Sequence, residues 1–202
     1  MSILTQSTIA NKVSLSGIGV HTGEFVNLNI LPSSPNSGII FKRIDLQKNN
    51  IIVPNFENVS EATLCTTISN EYGVKVSTIE HLMAALLGLG IDNAIVEVDS
   101  QEVPILDGSA INFVNILKKN GIKKSDVPIK LIKINNKVEI EDGNKYISIE
   151  KSNTALEIEF EINYKNQLIK NQKNKINVFE DNLDDIYNSR TFCLYEDIEK
   201  LK

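Results

Sequence analysis

The passage Ser77-Thr78-Ile79-Glu80-His81 concentrates the clearest chemistry in this 202-residue chain. Imidazole is a common metal ligand, and a carboxylate beside it can take a proton from an activated water. Successive residues on a helix point ~100° apart. With Ile79 at zero, an apolar stripe of Ile79, Leu82, Met83, Leu86 and Leu87 centres near ~10°, and His81 falls near ~200°, on the other side. Ala84, Ala85 and Gly88 are its neighbours there. Such a face is open to a ligand or to a closely packed second layer. A plainer reading stands beside the catalytic one. Ser77-x-x-Glu80 fits a capping box, in which Glu80 only satisfies backbone N–H groups.

Three other places bear on chemistry. His21, in Gly19-Val20-His21-Thr22-Gly23, is the second of 2 histidines. Its flanking glycines permit close backbone approach to a ligand, or simply build a tight hairpin turn with the imidazole outside. Asp107-Gly108-Ser109 precedes a helical pattern, and Asp107 or Ser109 suits its N-cap. Arg190-Thr191-Phe192 joins a rare arginine, a hydroxyl and an aromatic; an ordinary edge strand is the plainer reading. Of the 21 basic residues only Arg43 and Arg190 are arginine, so these two call for a reason more than the surface lysines do.

The elements that must position these residues are mixed. Phe25–Leu31 alternates Val26, Leu28 and Ile30 against Phe25, Asn27 and Asn29, a half-buried strand. Strands are also expected around Thr8–Leu15, Ile39–Ile44, Ile51–Val53 and Asn93–Val98, with a hairpin from Thr63–Ser69 and Val74–Ser77. Glu102–Leu106 reads as a short extended piece. Helices are expected over Ser77–Leu87, stopped by Gly88 and Gly90, and over Gly108–Leu117, with Gly121 at its end. Lys118–Pro128 is basic and polar and marks a domain boundary, giving domains 1–124 and 125–202. Beyond it strands restart at Ile129–Ile134, Lys137–Ile140, Tyr146–Ile149 and Ala155–Asn163. Helices follow at Val178–Tyr187 and from Tyr195. The last has no capping glycine or following loop, so the second domain is expected to be incomplete.

Composition narrows the classes. Apolar residues are 42% and charged residues 23%, the balance of a globular chain rather than a disordered one. A net charge of -5 argues against nucleic acid as a partner. Cys65 and Cys193 form no CxxC pair, so a zinc ribbon or redox motif is unsupported. With no charge before Lys12 there is no cationic leader, and reduced thiols in a cytoplasmic protein are expected. His81–Ile91, the longest strongly apolar uncharged run, is too short to span a bilayer; peripheral membrane proximity stays open.

Five stretches, GIGVHTGEFVNLNILP, ATLCTTI, VSTIEHLMAALLGLGIDNAIVEV, VPILDGSA and SRTFCLYEDIEKLK, occur in that order. Together they resemble the UDP-3-O-acyl-N-acetylglucosamine deacetylases, the zinc amidases of lipid A biosynthesis. The resemblance runs from near residue 5 to the last residue. It implies an α+β fold of two repeated two-layer α/β sandwich domains, ribosomal-protein-S5-domain-2-like, with the active site between them. It also implies a lipopolysaccharide-pathway hydrolase that removes the N-acetyl group from its UDP-sugar substrate, as a cytoplasmic monomer.

Carried over residue by residue, the resemblance makes His81 a ligand of Zn2+ and Glu80 the general base. It makes Thr191 a holder of the oxyanion and sets Phe192 near the sugar. Leu194 and Ile198 become candidate lining of an acyl-chain passage, and Leu64 and Cys65 edge positions of the site. The family's other zinc ligands, a His and an Asp one helical turn apart, and its general-acid His are expected beyond residue 202. The chain thus reads as roughly the first two-thirds of such an enzyme. The alternatives are a non-catalytic relative that keeps the sugar-nucleotide cleft without the metal, and an interaction protein on the same fold.

Overall fold

The computed structural model describes residues 4–153 and 156–195. The chain divides into two units, one running to Ile129 and resuming at Asp184, the other Lys130–Leu183. The described residues are built on several sheets with few helices, a mixed α/β protein.

The first unit is organised by a 5-stranded sheet in the order β2-β3-β9-β4-β5. Its strands are β2 (Val13–Ile18), β3 (Phe25–Pro32), β4 (Ile39–Arg43), β5 (Ile51–Ile52) and β9 (Ala94–Val98). β4 runs parallel to β9, and the other pairs are antiparallel. Register explains the alternation in β3. Val13 faces Ile30, Ile30 faces Val96, Val96 faces Phe41 and Phe41 faces Ile52. This row crosses the whole sheet, and every member is buried. A one-residue slip in any strand would turn its row outward, so burial fixes the register.

Two helices complete the core, α1 (Glu80–Gly88) and α2 (Ile111–Asn120). They bury Leu82, Ala85 and Leu86, and Phe113, Val114 and Leu117. The end of α1 is set by Gly90 at φ 65. Its N–H donates to Leu87 O, and Ile91 N–H donates to Leu86 O, a Schellman closure in which Ile91 and Leu86 are both buried. Gly121, φ 83, ends α2 as its sequence position predicts.

Smaller pieces flank this core. β1 (Thr5–Ile9) pairs with β10 (Ile122–Pro128). β6 (Val59–Glu61), β7 (Thr67–Ser69) and β8 (Lys75–Val76) form a 3-stranded sheet, preceded by a 3-10 turn at Phe56–Asn58. The boundary expected at residue 124 falls inside β10, and α3 (Asp184–Asn188) groups with the first unit.

The second unit holds two antiparallel hairpins, β11 (Val138–Asp142) with β12 (Lys145–Ile149), and β13 (Glu157–Asn163) with β14 (Asn171–Asn177). Two expectations differ here. Ile129–Ile134 forms no strand, and Leu131 and Ile132 are exposed. The helix expected over Val178–Tyr187 is reduced to α3. Val178 N–H continues the hairpin to Leu156 O, and the chain then turns, with Glu180 N–H and Asp181 N–H both donating to Asn177 O, so the helix starts only at Asp184. β14 is a strand that periodicity does not reveal. The helix expected from Tyr195 lies, beyond that residue, outside the described residues.

Candidate active site

The start of α1 does not form the capping box. The helix begins at Glu80 with Ile79 as N-cap, and no side chain caps it. The cause is the turn before it. Thr78 takes φ 58, the left-handed region, which is strained for a β-branched residue. That turn draws Ser77 out of register with the helix, and its hydroxyl donates to Gln101 O instead. Glu80 is therefore not consumed by its own helix. Its Oε2 accepts the backbone N–H of Thr66 at 3.0 Å, and its Oε1 lies 4.0 Å from Nε2 of His81. The imidazole is largely enclosed, with 16% of its side chain exposed, while Glu80 keeps 37%. The carboxylate is thus tethered through one oxygen and presents the other beside the imidazole.

The small face of α1 receives a second layer. A Cβ on Gly88 would collide with the ring of Tyr187, so α3 closes on α1 where only glycine fits. Burial pushes the Tyr187 phenol up, aided by the charge of Asp184. Of the two readings of that face, close packing holds at the Gly88 end.

Glu102 was not among the residues expected to matter, and it is the most fully enclosed charge near the site. It is 0% exposed. Oε1 accepts His21 N–H at 3.0 Å and the Thr78 hydroxyl at 2.9 Å; Oε2 accepts Thr22 N–H at 2.9 Å and the Thr22 hydroxyl at 2.8 Å. Burial pushes this carboxyl up, but hydrogen bonds from His21, Thr22 and Thr78 outweigh it and hold the group below the usual glutamate range. His21 enters through its backbone; its side chain is exposed on the turn. Sequence held one signal for Glu102, an acid set directly before the apolar run Val103-Pro104-Ile105-Leu106.

The other end of that run holds the Arg190-Thr191-Phe192 segment, which forms no strand. Asp107 accepts from Ser109 N–H, the Ser109 hydroxyl and Asn112, and pairs with Arg190 at 3.3 Å. The Ser109 hydroxyl bond, with Arg190 adding, holds the Asp107 carboxyl below its ordinary value. Thr191 N–H donates to Gly108 O at 2.9 Å. Neither Asp107 nor Ser109 is the N-cap; Ala110 is, with the Ser109 hydroxyl accepting Ile111 N–H. Both arginines find their reason in carboxylates, Arg190 with Asp107 and Arg43 through a two-point contact with Asp45.

Leu64 is exposed at φ 62 and turns the chain into half-buried Cys65, one residue before the Thr66 amide that holds Glu80. Phe192 is exposed and Leu194 half-buried. Ile198 lies outside the described residues.

The metal question has a plain answer for the side chains in view. A catalytic zinc takes three protein ligands and a water. Among the described residues no group of three His, Cys, Asp or Glu side chains comes together, so these residues do not by themselves fit the ion. No helix among them is long and apolar enough to cross a membrane.

Comparison with known proteins bears on all of this. Enzymes named UDP-3-O-acyl-N-acetylglucosamine deacetylase from Shewanella baltica and Shewanella denitrificans are each 40% identical over 99% of this chain. The one from Shewanella oneidensis is 39% identical over the same share. The chain spans 66% of the length of each. The family profile of UDP-3-O-acyl N-acetylglycosamine deacetylase matches residues 6–202. With a match of that extent, the chain belongs to the UDP-3-O-acyl N-acetylglycosamine deacetylase family.

Proposed function

We propose that this chain carries the Glu80-His81 half of a deacetylase that hydrolyses the N-acetyl group of UDP-3-O-acyl-N-acetylglucosamine in lipid A biosynthesis. The observation that carries the reading is the state of Glu80. One carboxylate oxygen is tethered to the Thr66 amide, and the other stands beside His81 rather than capping the helix. A general base must be held and yet have an oxygen in reach of the proton it removes. In this reading Glu80 takes the proton of the attacking water, and the Thr191 hydroxyl helps hold the oxyanion as the acetamide carbon becomes tetrahedral. The C–N bond then breaks, acetate leaves, and the amine takes up a proton. Leu64, Cys65, Phe192, Leu194 and Ile198 contact the substrate.

Zinc belongs to the proposal with His81 as its ligand here, the others lying outside these 202 residues. A single imidazole holds zinc weakly. The dialysed chain is therefore expected to retain far less than one zinc; stoichiometric, chelator-resistant zinc would overturn that assignment. The sheet and helix layers of the first unit support one of two repeated sandwich domains, and the free thiols Cys65 and Cys193 suit a cytoplasmic protein.

The activity test joins residues 1–202 to the part of the Shewanella baltica relative that the match leaves uncovered. The chimera is expected to release acetate from the substrate, and Glu80→Gln to slow it by about 10²–10⁴ without loss of folding. Full turnover with lowered stability in that variant would make Glu80 structural. A folded chimera that binds the sugar nucleotide but never turns over would favour the non-catalytic relative.

A further inference from the structure

We propose that Glu102 is a positioning residue: its carboxylate clamps the 19–23 loop to the turn at Thr78 and so sets where α1, and with it Glu80 and His81, begins. The inference rests on reading Glu80 and His81 as the reacting pair.

Three observations carry it. Glu102 joins chain segments far apart in sequence, with His21 and Thr22 on one side and Thr78 on the other, all four donors being uncharged. A carboxylate this deep costs stability unless its oxygens are occupied, and here each oxygen accepts two hydrogen bonds. Next, Thr78 stands two residues before Glu80 at a φ that glycine would take without strain. It is 2% exposed, and its hydroxyl is spent on Glu102, which accounts for a threonine in that conformation. Lastly, the surroundings are built around the carboxylate. A Cβ on Gly19 would collide with its Oε2. The flanking backbone is stitched to the same turn, with Ser77 N–H donating to Gln101 O and Val103 N–H to Ser77 O.

The consequence for Glu80 is mechanical. Its tether to Thr66 closes only if α1 starts where it does, and the turn that starts α1 is held by Glu102. Glu102 acts through Thr78; it does not itself face the reacting atoms.

Amide hydrogen exchange on the ¹⁵N-labelled 202-residue chain tests this, with Thr66 N–H as the reporter of Glu80 position. Thr78→Val puts a methyl in place of the hydroxyl, Thr78→Ser keeps the hydroxyl, and Glu102→Gln replaces an acceptor oxygen with an NH2 donor. Thr78→Val and Glu102→Gln are expected to speed exchange at Thr66 by about tenfold, the scale of one lost hydrogen bond. His21 and Thr22 should follow in Glu102→Gln. Leu28 and Val96 in the sheet should stay within about twofold, and Thr78→Ser should match the parent. If Glu102→Gln does not fold, Thr78→Val carries the test. An unmoved Thr66, or a uniform rise that includes Leu28 and Val96, overturns the proposal, since a merely stabilising role loosens everything together. Exchange needs no turnover, so this test and the activity test of Glu80 fail separately.

Discussion

The two units use the same strand chemistry and reach opposite outcomes. In the first, the row Val13, Ile30, Val96, Phe41 and Ile52 is buried across five strands. In the second, β11 and β12 are exposed at every position, and Val138, Ile140, Tyr146, Ile147, Ile158 and Phe160 all face outward. Both show alternation. The difference lies in what stands over the strands: α1 and α2 bring apolar side chains to the first unit's core, whereas the second unit offers two separate hairpins and, among its described residues, no helix. A two-stranded hairpin in water is marginal by itself. β13 and β14 also carry diagonal charge pairs, Lys173 with Glu159 and Lys175 with Glu157, on their exposed surface. Where alternation does mark a strand, as in β3, β11 and β13, the second layer still decides how much that strand contributes to stability.

The largest effect should come from paired truncations. Phe41→Ala, in the buried row, is expected to cost about 3–5 kcal/mol in denaturant unfolding. Phe160→Ala, whose parent is 62% exposed, should stay within about 0.5 kcal/mol. Similar costs at both positions would end the comparison. Next in size is exchange in the unmutated protein. Amides of Leu82 to Leu86 in α1 should exchange at least about 100-fold more slowly than those of β13, because local opening is easiest where few apolar contacts are lost. Equal protection would mean that β13 and β14 belong to a core as closed as the first.

A smaller effect concerns pH. The folded pKa of Glu102 lies below its ordinary value. Its contribution is then complete above the unfolded-state pKa and is lost as pH falls through the folded one. Unfolding of the first unit should therefore grow easier in acid, and Glu102→Gln should flatten that slope; an unchanged slope would deny Glu102 its ionised role. The smallest effect is expected from salt. Screening the Lys173–Glu159 and Lys175–Glu157 pairs should leave the melting of the second unit nearly unchanged, since exposed pairs contribute little. A marked drop would show that charge, rather than backbone pairing, holds those hairpins.

Legibility in the sequence followed the same division. β3 was readable because one face is buried, and burial writes a period into the residues; α1 was readable only in part, since Ile79, Leu82 and Leu86 of its expected stripe are buried while Leu87 is 47% exposed and Ala85, on the small face, is buried instead. Gly90 and Gly121 were readable because a positive φ restricts the residue choice. β14, Asn171–Asn177, carries one apolar residue, Ile176, so nothing in its pattern marked it. Leu131 and Ile132 supplied the apolar content of a strand, yet their segment forms none and both side chains are exposed. The site was legible as a motif and misleading as a local structure. Ser77 and Glu80 have capping-box spacing, yet Glu80 answers to Thr66, because the turn at Thr78 is held from Glu102, 24 residues away. No local rule sees a hydrogen bond to a distant backbone amide. Arg190 was singled out by rarity alone, and its partner Asp107 lies 83 residues before it.

The place of β9 has a consequence for the making of the chain. β3 and β4 are neighbours in sequence but not in the sheet, because β9 lies between them, bonded to both. A nascent chain that ends between Gly88 and Ala94 has the other four strands of this sheet and the whole Glu80-His81 segment but no central strand to join them. The stretch from the end of β4 to β9 is roughly 50 residues, about 3–10 s of synthesis at ~5–20 residues per second. During that interval the inner edges of β3 and β4 are open to other strands, and a chaperone that shields strand edges would find its substrate there.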